Sequence, residues 1–360
     1  MIPTDSLDCL FSSVRQAVIG IDGSKILFAN PAAKSVLGAD ICARKANDLI
    51  PSDILDNQSD SFACATQISG HNVGINALRN NGILLLFVDF IRTEKSALFI
   101  TRHIINNLRN CAMGIKMSAD KCFSYLEDGN TPDEKHISIL YHYYYSLVRS
   151  LTQVDSADLL ERGEMIFSPV RTDLVKLCGE LTDTVSKLCD EKGINISFST
   201  TENELFAVID PSKIEHLLLN LFSNSLGNTP PGGSIELSLQ QAGHRLILSM
   251  DDNGTGIPQE VLSNVFTLPN EDFDLSGLQS GNGLGLYIAS GIAQLHKGVL
   301  LIDSREGGGT RIRVMLPTDE NPAPKFNCPE TPYRHSGVSS ILTGLADILS
   351  NDCFGVKFED

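Results

Sequence analysis

The spacing of hydrophobic residues divides the chain into parts with different predicted secondary structure. In the first part, short runs of β-branched and aromatic residues alternate with turn signals such as Asp22-Gly23, which is typical of β-hairpins. Asn30-Pro31 is expected to begin a helix that ends at Gly38. Strands are predicted at residues 18–21, 25–28, 73–78 and 83–90. Residues 1–92 are therefore predicted to form a small α+β domain with a β-rich face.

A helical spacing of apolar residues replaces this pattern between residues 93 and 165. Two long helices are predicted at Ser96–Leu126 and Pro132–Leu160, with the turn-rich sequence EDGNTP between them. Their apolar stripe is one-sided, so an isolated hairpin would leave half of a bundle core exposed to water. A second copy of the chain is the simplest cover, which predicts a homodimeric four-helix bundle. The alternative is that the stripe packs against the flanking domains.

Helices and strands alternate between residues 166 and 318, where glycine-rich segments connect them. This part is predicted to form a third domain, so the expected fold class is multidomain α+β. Residues 319–332 are rich in proline and predict a linker. Residues 337–349 are compatible with one amphipathic helix. We assign no chemistry to the C-terminal part, residues 319–360.

The composition narrows the class of protein. The 360 residues include 28 basic and 44 acidic side chains, giving a formal net charge of −16, which argues against nonspecific nucleic-acid binding. A hydrophobic fraction of 42% with 20% charged residues excludes a mostly disordered chain. No apolar run reaches the roughly 20 residues of a membrane helix, and the N-terminus lacks a signal-peptide pattern. The nine cysteines show no CxxC spacing, so we expect a soluble, cytoplasmic protein with reduced cysteines.

Two asparagines suggest a metal site in the third domain. Asn220 and Asn224 lie on a helix predicted over residues 214–226, and a spacing of four puts their side chains on one face. Neutral carbonyl oxygens on that face could hold a hydrated Mg²⁺. Taken alone, the pair is also typical of a solvated helix face.

Three glycine-containing segments follow this helix. Asp252-Asn253-Gly254-Thr255-Gly256 comes directly after an apolar strand predicted over residues 246–250, and a carboxylate there can accept a hydrogen bond from an exocyclic amine. Gly281-Asn282-Gly283-Leu284-Gly285-Leu286 leads into a helix over 287–295, where backbone N–H groups can approach phosphates. The third segment is Gly307-Gly308-Gly309-Thr310, before a strand over 311–316. Each segment alone is weak evidence, because glycines are common in turns.

The order and spacing of these segments resemble the ATP-binding domain of sensor histidine kinases over nearly all of residues 167–317. The matching positions are Asn220, Asn224, Asp252, Gly254, Gly256, Phe266, Gly281, Gly283 and Gly285. The resemblance implies a two-layer α/β sandwich, shared with gyrase, heat-shock chaperone and mismatch-repair ATPases, that binds ATP and Mg²⁺. It implies that Asp252 recognises the adenine amino group and that Asn224, helped by Asn220, ligates Mg²⁺. The segment between Phe266 and Gly285 would cover the phosphates, and Leu286 and Thr310 complete the cofactor-binding set.

The chain departs from the family pattern at one point of this domain. Histidine kinases often carry a lysine and then an aromatic residue three and four positions after the second asparagine. Here these positions are Gly227 and Asn228. The loss of a cation near the phosphates should weaken ATP binding or slow the transfer.

The first helix of the hairpin carries the candidate phosphoacceptor. His103, followed by Asn106, Asn107 and Leu108, is similar to the subfamily pattern His-Asp-x-Asn-Asn-Leu, and an imidazole is nucleophilic near neutral pH. This resemblance makes His103 the acceptor and Asn107 the residue that orients water for phosphatase chemistry. The family has an acid where this chain has Ile104. A competing register puts Asn106 at the histidine position, and the protein then could not autophosphorylate.

The N-terminal domain resembles a PAS sensor module through Asp22-Gly23, residues 26–28, Asn30-Pro31-Ala32-Ala33 and Leu37-Gly38. The chain is thus identified as similar to sensor histidine kinases with a PAS-like domain (1–92), a dimerisation and phosphoacceptor hairpin (93–165) and an ATP-binding domain (166–318). The resemblance implies a response regulator receiver domain as partner. The competing hypothesis is a degenerate kinase that binds ATP or partner proteins and regulates without autophosphorylation.

Overall fold

The computed structural model describes residues 11, 14, 16–38, 40–68, 71–80, 82–90, 96–258, 262, 283–318, 334–335 and 338–354. The predicted site residues Phe266 and Gly281 lie outside these residues. Within the described part, no helix is both long and apolar enough to cross a membrane.

The N-terminal region, residues 17–90, is an antiparallel sheet with short helices on one side. Its elements are β1 (Ala17–Asp22), β2 (Lys25–Ala29), α1 (Pro31–Leu37), α2 (Ser52–Leu55), β3 (Ser61–Ile68), β4 (His71–Asn80) and β5 (Ile83–Phe90). The strand order is β2-β1-β5-β4-β3. Asn30 fixes the start of α1, because its Oδ1 accepts hydrogen bonds from Ala33 N at 2.9 Å and Val18 N at 3.0 Å. Every predicted element is present here.

The sequence analysis missed β3, and its burial explains why. Residues 62–66 are buried without interruption, so the strand lacks the alternation of apolar and polar residues that marks a half-exposed strand. Both faces of β3 are covered, because Phe62 and Cys64 pack in the core of the N-terminal region and Ala63 and Ala65 pack in the main core. It pairs with β4 on one side and with a strand from another region on the other.

The hairpin consists of two long antiparallel helices, α3 (Ser96–Glu127) and α4 (Glu134–Arg162). These bounds agree closely with the predicted ones. Asp133 caps the start of α4, and Gly163 ends it with a φ of 66°. The two helices approach closely at Gly114, where an added Cβ would lie 2.5 Å from the ring of Tyr143.

The third region, residues 170–317, is a sheet with a layer of helices on one face. Its elements are β6 (Val170–Asp173), α5 (Leu174–Leu188), β7 (Asn195–Thr200), β8 (Phe206–Ile209), α6 (Pro211–Asn228), β9 (Ser234–Ala242), β10 (Arg245–Asp252), α7 (Gly285–Leu295), β11 (Val299–Ser304) and β12 (Thr310–Pro317). The main strand order is β11-β12-β10-β9-β7, with β7 parallel to β9 and the other neighbours antiparallel. Leu181 of α5, Leu217 of α6 and Ile288 of α7 belong to the same buried core as Leu237 and Leu248 of the sheet. The helices are thus held on one side, and the strand ends carry the candidate site.

The sheets of the N-terminal and third regions join through β3 and β11 into one ten-stranded sheet. Polar contacts flank the joint: Ser59 Oγ donates to Asp303 Oδ2 at 2.7 Å, and Arg245 forms an ion pair with Asp53. Leu301 of β11 is buried in the core of the N-terminal region. Nothing in the sequence pattern predicted this joint, because strand partners far apart in the chain leave no local periodicity.

The joint predicts a specific cross-link. Cys64 and Leu301 are directly opposite on antiparallel strands, and such pairs have Cα atoms about 4.5–5.5 Å apart, within the range that a disulfide spans. We expect Leu301→Cys to form a disulfide with Cys64 under mild oxidation, measured as the loss of two alkylatable thiols by mass spectrometry. Leu300→Cys is the control, because its side chain points to the other face of the sheet. A failure of Leu301→Cys to cross-link faster than this control would contradict the joint.

The C-terminal segment contains a shorter helix than the sequence predicted. After the short strands β13 (Arg334–His335) and β14 (Val338–Ser339), helix α8 spans only Ser340–Gly344, and a 3₁₀ turn follows at Asn351–Phe354. The expected single helix over 337–349 is therefore wrong in length. Gly344 is a poor helix former, and residues 345–348 form turns instead of helix, with Leu345, Leu349 and Phe354 in the main core.

Candidate nucleotide-binding site

Helix α6 places the two predicted asparagines one turn apart. Asp210 caps the helix, since its Oδ1 accepts a hydrogen bond from Lys213 N at 3.2 Å. Asn220 is buried, and its Nδ2 donates to the carbonyl oxygen of His216 at 3.0 Å. Asn224 is half-buried. The predicted arrangement of both residues on one helix is present.

Asp252 ends β10, where three elements meet. Its Oδ1 accepts hydrogen bonds from Gly254 N at 3.0 Å and Thr310 N at 3.2 Å, and its Oδ2 accepts one from Ser225 Oγ at 3.0 Å. Thr310 is its register partner on β12, and Ser225 follows Asn224 on α6. The carboxylate is thus oriented by fixed donors.

Burial and hydrogen bonding act on this carboxyl in opposite directions. Burial raises the pKa of Asp252 above its ordinary value, while the hydrogen bonds from Gly254, Ser225 and Thr310 favour the charged form. A half-buried carboxylate with spare lone pairs is suited to accept a hydrogen bond from a ligand amine.

The first glycine loop is packed too tightly for any other residue type. A Cβ on Gly254 would lie 2.5 Å from the carbonyl oxygen of Asn228, and one on Gly256 would lie 2.0 Å from that of Arg305. Gly256 also has a φ of +71°. Thr255 N donates to the Asn228 carbonyl at 3.0 Å. The glycines therefore hold the loop between the end of α6 and the turn before β12.

The second glycine loop brings the start of α7 against α6. Gly283 has a φ of +70°, and Gly285 is the first residue of α7. A Cβ on Gly285 would lie 3.3 Å from Asn220 Oδ1. The first backbone N–H groups of a helix have no partner within the helix and can bind an anion such as a phosphate. Leu286 is half-buried against the core.

The donor set fits Mg²⁺ bound together with a phosphate ligand. Among the described residues, no group of three or more His, Cys, Asp or Glu side chains could hold a metal. Asn220 donates through Nδ2, so its Oδ1 is the atom that faces Gly285. A neutral amide oxygen is a ligand that Mg²⁺ accepts while keeping several waters.

Two site residues were missed by the sequence analysis. Ser225 is buried, and its hydroxyl donates a hydrogen bond to Asp252. Its position directly after Asn224 could have indicated that it belongs to the site. Ser304, at the end of β11, accepts a hydrogen bond from Ile257 N at 2.8 Å and lies 2.9 Å from Thr310 Oγ1. No local pattern marks Ser304, because it reaches the loop only through the β11–β12 pairing.

The candidate phosphoacceptor lies on α3 in another part of the molecule. His103 is within this helix, and its side chain is outside the described residues. Asn107 is half-buried one turn later. Ile104 is only 6% exposed and belongs to the main core, which explains an apolar residue at this position.

Comparison with known proteins agrees with this geometry. Residues 209–320 match the family of histidine kinase-, DNA gyrase B- and HSP90-like ATPases. The sensor histidine kinase TmoS of Ectopseudomonas mendocina is 30% identical over 207 residues, which cover 56% of this chain and 20% of TmoS. The chain is thus similar to sensor histidine kinases, and its residues 209–320 are similar to the ATPase domain that this family describes. Sporulation kinase A of Bacillus subtilis is 26% identical over 182 residues, covering 49% of this chain and 29% of that kinase.

These curated relatives are longer proteins, of which the chain spans less than a third. Among solved structures, histidine kinase ThkA in complex with the response regulator TrrA is 18% identical, with a TM-score of 0.44, covering 86% of this chain and 97% of that chain.

Proposed function

We propose that this chain is the kinase of a two-component system, which binds Mg-ATP, phosphorylates its own His103 and passes the phosphoryl group to an aspartate of a response regulator. The observation that carries this proposal is the fixed carboxylate of Asp252, which lies at the junction of α6, β10 and β12 and is held by Ser225, the residue that follows Asn224. The family match of residues 209–320 supports it.

Each part of the site has a role in this proposal. Asp252 accepts the hydrogen bond of the adenine amino group, and the N–H groups at the start of α7 hold phosphate oxygens. Asn224 ligates Mg²⁺ with help from Asn220. Bound Mg²⁺ would neutralise the charge that the phosphates develop during transfer.

His103 supplies the nucleophile in the hairpin. A ring nitrogen forms a bond to the γ-phosphorus while the bond to the ADP oxygen breaks, which leaves the phosphoryl group on the imidazole. Asn107, one helical turn from His103, would orient a water for phosphatase chemistry, in which the water oxygen takes the phosphoryl group and free phosphate is released. The same phosphorylated imidazole is the donor for the aspartate of the partner's receiver domain.

The N-terminal region is proposed as a PAS-like sensor domain within the boundaries 1–92. Its five antiparallel strands and short flanking helices support this assignment. The boundaries 93–165 for the hairpin and 166–318 for the ATPase domain belong to the same proposal, since the hairpin helices and the strands of the third region fall inside them.

One observation favours a degenerate kinase as the second candidate. Ile104 is buried beside His103, so no carboxylate stands at the position from which a base would deprotonate the imidazole. Gly227 likewise offers no cation near the phosphates. Such a protein would bind ATP and its partner without labelling itself. Incubation of the full chain with γ-labelled ATP separates the two candidates, since only the kinase acquires label.

We expect the chain to be a homodimer through the hairpin. Met113 and Met117 on α3, one helical turn apart, are 57% and 69% exposed, and a second hairpin would cover these large apolar side chains. Met117→Glu should shift the protein from twice its 39.1 kDa mass to that mass, measured by light scattering at tens of micromolar protein. Ala112→Glu, about 140° away around the helix, is the control and should remain dimeric. A monomeric unmutated chain would contradict this prediction.

A further inference from the structure

The C-terminal residues 340–354 lie in a groove between the hairpin and the third region. Seven apolar side chains of this segment are buried in the main core: Leu342, Leu345, Ala346, Ile348, Leu349, Cys353 and Phe354. The segment touches α4 on one side and α5 and α6 on the other. We call residues 340–354 the clasp.

The clasp is attached to the third region at both of its ends. At its start, Ser340 Oγ donates a hydrogen bond to Glu215 of α6. Gly344 packs so closely on α6 that a Cβ there would lie 2.8 Å from Leu219 Cδ1 and 2.9 Å from its Cβ. At its end, Cys353 Sγ donates to the carbonyl oxygen of Leu188 at 3.4 Å.

The clasp is attached to the hairpin through aromatic rings and an ion pair. The ring of Phe354 lies 5.2 Å from that of His142 and 5.5 Å from that of Tyr145, between ring centres. Asp347 Oδ2 lies 2.9 Å from Arg149 Nε. The contacts of residues 353 and 354 thus connect α5 and α4 through adjacent side chains.

Arg149 joins the three parts of the molecule. It is 6% exposed on α4, pairs with Asp347 of the clasp, and donates from Nη2 to Ser223 Oγ at 2.9 Å. Ser223 precedes Asn224 on α6, so the guanidinium is attached to the helix that carries the proposed metal ligands. A buried guanidinium depends on its acidic partner, because desolvation otherwise disfavours its charge.

We propose that the clasp holds the third region against α4 of its own hairpin, and that opening the clasp frees the third region for phosphoryl transfer. This inference rests on the proposed function. The γ-phosphorus must come to about 3–3.5 Å from the imidazole for transfer, and the third region must then leave for a partner aspartate to reach the same imidazole. One fixed arrangement of the two parts cannot serve both steps. A restraint on the third region therefore slows phosphorylation of the imidazole and transfer to the partner aspartate.

Hydrogen exchange on the full chain tests the restraint without relying on activity. Asp347→Asn removes the charge that pairs with Arg149, and Gly344→Ala pushes α8 away from Leu219 without a change of charge. Asp352→Asn is the matched control, because Asp352 is an exposed carboxylate of the same segment. We expect faster amide exchange in peptides covering residues 142–149 and 215–223 in the first two variants and unchanged exchange in the control.

Incubation of the same proteins with γ-labelled ATP measures whether opening the clasp speeds phosphoryl transfer. We expect the initial rate to rise at least about threefold in Asp347→Asn and Gly344→Ala, with Mg-ATP affinity unchanged. Equal amide exchange in all three variants would overturn the proposal. Faster exchange in Asp347→Asn and Gly344→Ala with a labelling rate equal to or below that of the unmutated chain would also overturn it. If neither the unmutated chain nor any variant acquires label, the proposed kinase function is wrong, and the exchange result alone decides whether the clasp restrains the third region.

Discussion

Replacement of His103 by glutamine is expected to abolish incorporation of acid-labile, base-stable label from γ-labelled ATP. A phosphoramidate has this lability because protonation of its nitrogen turns the imidazole into a good leaving group. Glutamine has no comparable nucleophile, so we expect a loss of at least about 10³-fold, to the background of the measurement. Calorimetry should find the Mg-ATP affinity unchanged, because His103 is on α3 and the nucleotide site is in the third region.

His136→Gln is the control for this experiment. His136 lies on α4, with its ring 5.5 Å from that of Tyr125, so it is a packing residue that the proposed transfer does not use. It should keep full labelling. Label that persists in His103→Gln would refute His103 as the acceptor, whereas an unlabelled native chain that binds Mg-ATP would favour the degenerate kinase.

The parts of the fold that could be predicted are those with local signals. The hairpin helices have long apolar stripes and a turn between them, so their bounds follow closely from the sequence. The Asp252 loop could be predicted because the sequence has glycines at 254 and 256. A Cβ at either position would clash with neighbouring backbone, so only glycine fits there. The residue types are visible in the local sequence, although the carbonyl oxygens that exclude a Cβ at the two glycines belong to the distant residues Asn228 and Arg305.

The parts that could not be predicted depend on contacts between distant segments. The β3–β11 pairing joins residues 63–65 to residues 300–302, and no periodicity encodes such a partner. The clasp likewise depends on Arg149, which in sequence is one charged residue among others on α4. Its ion pair with Asp347 arises only when the C-terminal segment folds back over the hairpin.

Replacement of Asp252 by asparagine is expected to weaken Mg-ATP binding about 5- to 150-fold, the equivalent of about 1–3 kcal/mol for a mispaired polar contact. Asparagine keeps an oxygen that accepts from Gly254 N and Thr310 N, so the loop should retain its shape. Its amide nitrogen replaces Oδ2, which accepts from Ser225. The serine hydroxyl can reverse its role, but the adenine amino group cannot accept a hydrogen bond.

Asp251→Asn is the matched control, since it makes the same change of charge one residue earlier. Successive side chains of β10 point to opposite faces, and Asp251 pairs with Arg311 rather than with the site. Calorimetry should therefore find its Mg-ATP affinity within about twofold of the native value. Inosine triphosphate sharpens the test, because it carries an oxygen where ATP carries the amino group, so the ratio of ATP to inosine triphosphate affinity should fall in Asp252→Asn alone. Equal losses in both variants would mean that the effect is one of overall charge, and Asp252 would then not contact the adenine.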